Sequence, residues 1–292
     1  VGRDDKGFWT VTTDAAVTPW QIEDGSGNPV EATGDEQVEL FRSVKAGNGR
    51  VEIALTDGGT LSAAQVNDLS VAGTANCYVV SAPGTYVFNA RVRGNGAGEG
   101  VGFEPAIEMA DGMTADWLWT DSEGLVSGVA LDTTSGDIFL TVGEGRGNAL
   151  VALMQDGKVV WSWHVWVTDA PQTMTYGNGT VFMDRNLGAA GTTAGGTDAY
   201  GMYYQWGRKD PFYGGEKTET SANAFLEAKN GTVVNPAYPA LDWAFSKSAT
   251  TTDGAAANPM TFYNDKVGTG YNWLASPNAT LWGEAKTLND PC

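Results

Sequence analysis

The chain has 292 residues and a formal net charge of −18, from 35 acidic and 17 basic residues. That excess of carboxylates, with no basic run to offset it, repels nucleic-acid phosphates and anionic membrane surfaces, so neither is an expected partner. No run of about 18 apolar residues occurs, which excludes a transmembrane helix from the expected elements.

Composition otherwise points to β-structure. The 39 Gly and 11 Trp, with only 18% charged residues, suit short strands joined by tight turns. The length allows two or three domains, each with a core that needs no disulfide. Val1-Gly2-Arg3-Asp4-Asp5 lacks the basic and apolar regions of a signal peptide, so an exported protein is expected here in mature or trimmed form. Cys77 and Cys292 make no disulfide framework, and they pair only if the fold returns the chain's end to its second segment. Otherwise each behaves as a small buried hydrophobe. Two distant Cys and one His do not assemble a zinc site.

Residues 1–68 are expected to form a small β domain. Residues 8–12 read as one strand, and Trp20-Gln21-Ile22 opens another after Pro19. Val51, Ile53 and Leu55 alternate with Glu52 and Ala54, a half-buried strand that stops at Asp57-Gly58-Gly59. Residues 61–66 suit either a closing strand or a helical turn. The two Trp strands and the later alternating strand resemble bacterial immunoglobulin-like modules used as surface stalks.

Residues 69–170 carry a clearer pattern. Tyr86, Phe88, Ala90 and Val92 form one apolar face, and Ile138, Leu140 and Val142 another. Residues 149–154 and 159–167 are apolar runs flanking Asp156-Gly157, a pair that accepts φ > 0 and so predicts a tight hairpin. On its second arm Val159, Trp161, Trp163, Val165 and Val167 are expected to share a face, with Ser162, His164 and Trp166 on the other. An antiparallel β-sandwich follows, ending near Thr168-Asp169-Ala170-Pro171. Beyond it, strands shorten and aromatic spacing becomes irregular, as in long loops pinned by buried Trp and Tyr. A helix is expected only at 221–229, capped by Ser221 and ended by Asn230-Gly231.

A family resemblance sharpens this outline. The segments MDRNLGA, AYGMYYQWGRKDPF and LWGEAKTLNDPC resemble the motif succession of the Fibrobacter succinogenes major paralogous domain, common on cell-surface lipoproteins of Bacteroidetes. The segments ANCYVVSAPGTYVFNARVRGNG, ADWLWTDSEGLV and GEGRGNALVAL resemble the β domain that often precedes it. The resemblance implies a lectin-like relative of the formylglycine-generating enzymes. In the family the DPC motif runs on into further strands, so the last domain is expected here without its usual C-terminal part. The expected fold is therefore mainly β. One or two immunoglobulin-like or fimbrillin-like antiparallel sandwiches, at 1–68 and 69–170, precede a loop-rich α+β, C-type-lectin-like domain at 171–292.

The chemistry-bearing residues cluster in residues 181–213. Tyr203, Tyr204, Trp206, Arg208 and Tyr213 are the candidate ligand contacts, since flat rings stack on sugar C–H faces while polar neighbours orient hydroxyls. The competing reading is that these rings fill a core. Asp184, Arg185 and Asn186 are expected to form an internal ion pair that pins loops. His164 lacks a second His or a nucleophile motif, and is expected to be packed or half exposed. The glycine-rich loops at 94–102 and 143–147 lack the phosphate-loop lysine. Acidic clusters such as Asp121-Ser122-Glu123-Gly124 could bind calcium, but the spacing of a calcium loop is absent, so no cofactor is expected.

The expected function is a non-enzymatic, exported adhesin or fimbria-associated protein at the cell surface or outer membrane. It would recognise a glycan or a host or matrix protein through its last domain. Two alternatives stand beside it: a structural pilus or stalk subunit that binds other fimbrial subunits, and a carbohydrate-active enzyme with two carboxylates in one cleft.

Overall fold

A computed structural model describes residues 66–95, 105–213, 232–284 and 286–291 with their side chains, and parts of 1–65 as the backbone of six strands. The chain is mainly β and divides into two compact units, residues 1–65 and 66–292.

The first unit holds two three-stranded antiparallel sheets. One is β1 (Gly2–Arg3), β2 (Trp9–Val11) and β3 (Trp20–Gln21); the other is β4 (Phe41–Gly47), β5 (Arg50–Leu55) and β6 (Thr60–Ala64). The segment that suited either strand or helical turn is thus a strand through Ala64.

In the second unit β7 (Val66–Asp68), β8 (Cys77–Val80), β9 (Gly84–Asn89), β10 (Met113–Thr120), β11 (Val126–Asp132), β12 (Asp137–Val142), β13 (Gly147–Gln155) and β14 (Lys158–Val167) make two sheets. Their orders are β11-β12-β9-β7 and β17-β10-β13-β14-β8, with β17 the short strand Val233–Val234. All pairings are antiparallel except β8 with β14 and β7 with β9. The predicted apolar faces meet between the sheets: Tyr86, Phe88, Ala90, Ile138, Leu140 and Val142 pack against Val151, Leu153, Trp163 and Val165. Each such Val, Leu, Ile or Phe side chain contributes roughly 1.5–3 kcal/mol when fully buried.

The β13–β14 hairpin turns at Asp156 (φ 51°) and Gly157 (φ 73°), with Gln155 opposite Lys158, as its sequence predicts. One side chain departs from the expected alternation. The register shifts so that Leu153 faces Trp161 and Met154 faces Val159, leaving Val160 as a bulge. The bulge turns Val159 away from Trp161 and Trp163, into a second cluster with Leu118, Trp119, Leu150, Ala152 and Met154.

That second cluster explains the molecule's organisation. Phe212, Trp243 and Met260, from the region after the sandwich, complete it. The sheet containing β13 and β14 is therefore covered on both faces, and Ser162, His164 and Trp166 are buried, which for His164 is the packed one of its two expected states. Strands buried on both sides read as continuous apolar runs, which is what β13 and β14 show. For the same reason residues 69–170 and 171–292, expected as separate domains, lie in one compact unit.

The covering region is loop-rich. It contains the hairpin β15 (Thr173–Thr175) with β16 (Val181–Met183), the parallel pair β18 (Ala244–Ser246) and β19 (Thr261–Tyr263), and the short helix α1 (Thr252–Ala257). Thr251 caps α1 by accepting from Gly254 N. Buried Phe212, Trp243, Tyr263 and Trp273 pin the loops, in line with the sequence reading. The helix expected at 221–229 lies outside the described residues. Residues 286–291 return to the sandwich: Asn76 Nδ2 donates to Leu288 O at 2.8 Å and Asp290 O at 2.7 Å, and Asn95 Nδ2 to Thr287 O at 3.2 Å. No described helix is long and apolar enough to cross a membrane.

Candidate functional site

The segment from Asp184 to Tyr213 supplies the joints of the covering region and the exposed ring of Trp206. Arg185 is the first joint. It spans Asp184, through Nε to Oδ1 at 2.8 Å, and Asp169, through Nη1 to Oδ1 at 2.9 Å and Nη2 to Oδ2 at 3.1 Å. Its side chain is 3% exposed, and Nη1 also donates to Thr168 Oγ1. The Arg185 hydrogen bonds, with the Arg185 and Arg146 charges, hold the Asp169 carboxyl down at about 2. The expected ion pair is present, and it ties the end of β14 to the chain after β16. Asn186 adds a contact at 3.4 Å from Nδ2 to Ala199 O.

A second joint is fully buried. Arg208, Lys209 and Asp210 sit against β14, with Arg208 Nε 3.1 Å from Asp210 Oδ2 and Lys209 Nζ donating to Ser162 O and Oγ at 2.9 and 2.6 Å. Lys209 also reaches Asp210 Oδ1 and lies 4.4 Å from the centre of the Trp161 ring. Arg208 donates further to Gln205 Oε1, Thr261 O and Asn258 O, and stacks over Phe212 at 4.8 Å. Burial pushes both cations below their ordinary values, and Asp210 opposes the shift. The expectation that Arg208 meets a ligand is corrected here. It is 1% exposed and holds loops together.

The single histidine belongs to a third joint. Asn148 Nδ2 uses both protons, one to Asp121 Oδ2 at 2.8 Å and one to Gly188 O at 2.9 Å. Its Oδ1, 2.8 Å from His164 Nε2, must therefore accept, which places the imidazole proton on Nε2. His164 Nδ1 is then the acceptor for Tyr204 OH at 3.1 Å. Burial drives the imidazole down to about 3, so it stays neutral.

Against this rigid base lies an open cavity of about 590 Å³ lined by Tyr204, Trp206, Tyr271, Asn272, Trp273 and Asn278, among others. None of its lining residues carries a charge. Trp206 is 65% and Tyr271 59% exposed, although both are large and largely apolar. The Trp206 ring sits 5.1 Å from Trp282, and the Trp206 carbonyl accepts from Trp273 Nε1 at 2.7 Å, so the platform is held in place. Tyr271 adopts φ 73°, a left-handed conformation uncommon for a bulky residue. Asn272 Oδ1 accepts from Leu274 N and Asn278 Oδ1 from Thr280 N, which fixes both amides with their NH2 ends open to other partners.

The five candidate contacts thus separate. Tyr204 and Trp206 line this cavity, and Tyr204 also anchors its floor to His164. Tyr213 lines a different cavity of about 390 Å³ with Asp121, Arg146, Asp198 and Tyr200. Tyr203 lines neither; its backbone pairs with Phe212 while its ring stays exposed. Arg208 is buried. The residues not singled out from sequence are Tyr271, Asn272 and Asn278, whose one local signal was an aromatic directly after Gly268-Thr269-Gly270.

In the smaller cavity both Asp121 oxygens already accept hydrogen bonds, from Asn148 N at 2.7 Å and Asn148 Nδ2 at 2.8 Å. Burial raises the Asp121 carboxyl against the pull of those bonds. Among the described residues no group of three or more His, Cys, Asp or Glu is placed to hold a metal ion. Neither protein-family models nor curated proteins match the chain.

Proposed function

We propose that the protein is a non-enzymatic, exported recognition protein of the cell surface, of the kind that carries a Fibrobacter-type paralogous domain. In this reading it binds a neutral glycan in the cavity between Trp206 and Tyr271. The observation that carries the reading is two exposed aromatic rings flanking a cavity with no charged lining residue and two oriented amide NH2 groups. Aromatic faces meet the C–H faces of a pyranose, amides meet its hydroxyls, and an uncharged wall suits an uncharged sugar. The formal charge of −18 further disfavours acidic glycans as ligands.

A glycan array followed by calorimetry tests this. Neutral oligosaccharides should bind, and Trp206→Ala or Tyr271→Ala should each weaken binding tenfold or more, equivalent to about 1.4 kcal/mol. Failure of the folded chain to bind any glycan, or parental affinity in both variants, would remove the reading.

One observation favours a second reading, a fimbrial or stalk subunit. The β15–β16 hairpin exposes Met174, Tyr176, Val181, Phe182 and Met183 together. A two-stranded ribbon with open edges suits pairing with a strand of a neighbouring subunit. Sedimentation at rising concentration separates the readings, since a subunit assembles without any sugar. The enzymatic alternative is less favoured, because the Asp121 carboxylate is committed to Asn148.

A further inference from the structure

The β15–β16 ribbon has edges whose backbone groups the fold leaves unpaired. Two bonds fix which of its residues pair inward: Asp184 N donates to Gln172 O at 2.8 Å, and Tyr176 N to Thr180 O at 2.9 Å. Antiparallel pairing alternates, so Met174 and Phe182, which stand opposite each other, also bond inward. Val181 and Met183 then turn their N–H and C=O groups out from β16, and Thr173 and Thr175 theirs from β15. Among the described residues no further strand joins either edge. The two edges differ. Pro171 stands at the next outward position on the β15 side and has no N–H to offer, which protects that edge. The β16 side has no such block, and Val181, Phe182 and Met183 are all exposed.

We propose that β16 pairs with β16 of a second copy of this chain, antiparallel about a two-fold axis through Phe182. The register is self-complementary. Val181 of one copy and Met183 of the other exchange both N–H···O=C bonds, and the symmetric pair does the same. Phe182 stands opposite its own copy at a non-hydrogen-bonded position, where side chains approach most closely. Met174 and Tyr176 share the Phe182 face, and the Tyr176 ring meets the Phe182 ring edge-on at 5.5 Å. Pairing therefore joins two apolar patches into one. A lone two-stranded ribbon is marginal in water, and doubling it gives the sheet enough strands to hold. Residues 171–183 carry no charge in a chain of net charge −18, so two copies meet where that repulsion is weakest. The contact closes at a dimer. This pairing rests on the subunit reading above, in which the ribbon is an assembly surface, and not on whether a sugar binds.

Sedimentation equilibrium of the full chain at rising concentration should give a monomer–dimer equilibrium that tightens as added salt screens the body charges. Val181→Pro removes an outward donor without touching the ribbon's own bonds, and should raise the dimer dissociation constant about tenfold or more. Thr175→Pro, the same change on the other edge, should leave that constant at the parental value. Both variants should keep the parental melting temperature. Phe182→Lys and Phe182→Glu should each be monomeric alone yet form a mixed dimer when combined, because position 182 faces itself. A parent that stays monomeric at every concentration would overturn the pairing and the subunit reading together. Parental dimerisation in Val181→Pro, loss only in Thr175→Pro, polymers in place of a dimer, or no mixed dimer would overturn the pairing and leave the subunit reading standing.

Discussion

His164 illustrates how one buried side chain can look like chemistry and act as structure. Its two ring nitrogens are consumed by Asn148 and Tyr204, and burial holds its protonation down to about 3. In the unfolded chain an imidazole takes its proton near 6.5, so between 6.5 and about 3 the unfolded state binds the extra proton. Stability is therefore present above 6.5 and is lost as pH falls, by up to about 1.4 kcal/mol per pH unit from this group. Urea midpoints measured from pH 7 to pH 5 should show that slope. The lone imidazole resonance should not titrate in the folded protein over the same range. Tyr271 is the opposite case, a residue whose own conformation is costly. Its φ of 73° is one a glycine adopts freely, so Tyr271→Gly should leave thermal stability unchanged or raise it by up to about 1 kcal/mol while glycan binding falls. A loss of stability in that variant would show that the ring serves packing rather than recognition. Neither role was legible beforehand. The alternation of β14 placed His164 beside Ser162 and Trp166, but which surface covers that face depends on residues far along the chain.

At the scale of elements, the buried Arg208-Lys209-Asp210 trio fastens the covering loops to β14 through Ser162. It contains two cations and one carboxylate, so removing the carboxylate is the severe change. Asp210→Ala should cost about 3–5 kcal/mol by leaving buried charge unpaired. Lys209→Met should cost far less, because Arg208 and Asp210 remain a pair. Guanidinium midpoints of the two variants would order them, and the reverse order would refute this account of the joint. The β15–β16 ribbon is held by its own pairing and keeps its apolar side chains in water. Phe182→Lys should leave the melting temperature within error of the parent and suppress any self-association seen in sedimentation. Sequence was informative for elements wherever contacts are local. The period-two alternation of β9 and β12 and the Asp156-Gly157 turn all predicted what is found. It was misleading at Val159, because a single bulge residue reverses which face a side chain takes, and no local pattern announces a bulge.

For the molecule as a whole, the sheet holding β13 and β14 is the shared wall of two cores. Cutting the chain near residue 170 would strip Phe212, Trp243 and Met260 from Leu118, Leu150 and Ala152. A fragment of residues 66–170 should therefore aggregate or bind a hydrophobic dye. Residues 66–292 should give the cooperative melt of a single body, as their grouping in one unit implies. Two separate melts, each matching a stable fragment, would contradict the shared wall. The mainly β class was legible from glycine, tryptophan and alternation. The union of the last two segments was legible only in part, since the continuous apolar runs of β13 and β14 mark strands buried on both faces but do not say which part of the chain covers the second one.

The doubly covered sheet also has a temporal consequence. During synthesis, the β13–β14 hairpin emerges before the loops that roof its second face. Leu118, Leu150 and Met154 then present a greasy wall for as long as Phe212, Trp243 and Met260 have yet to arrive. Until the roof arrives, that wall is open to the same exposed wall on neighbouring nascent chains, so the order of synthesis sets a window for aggregation.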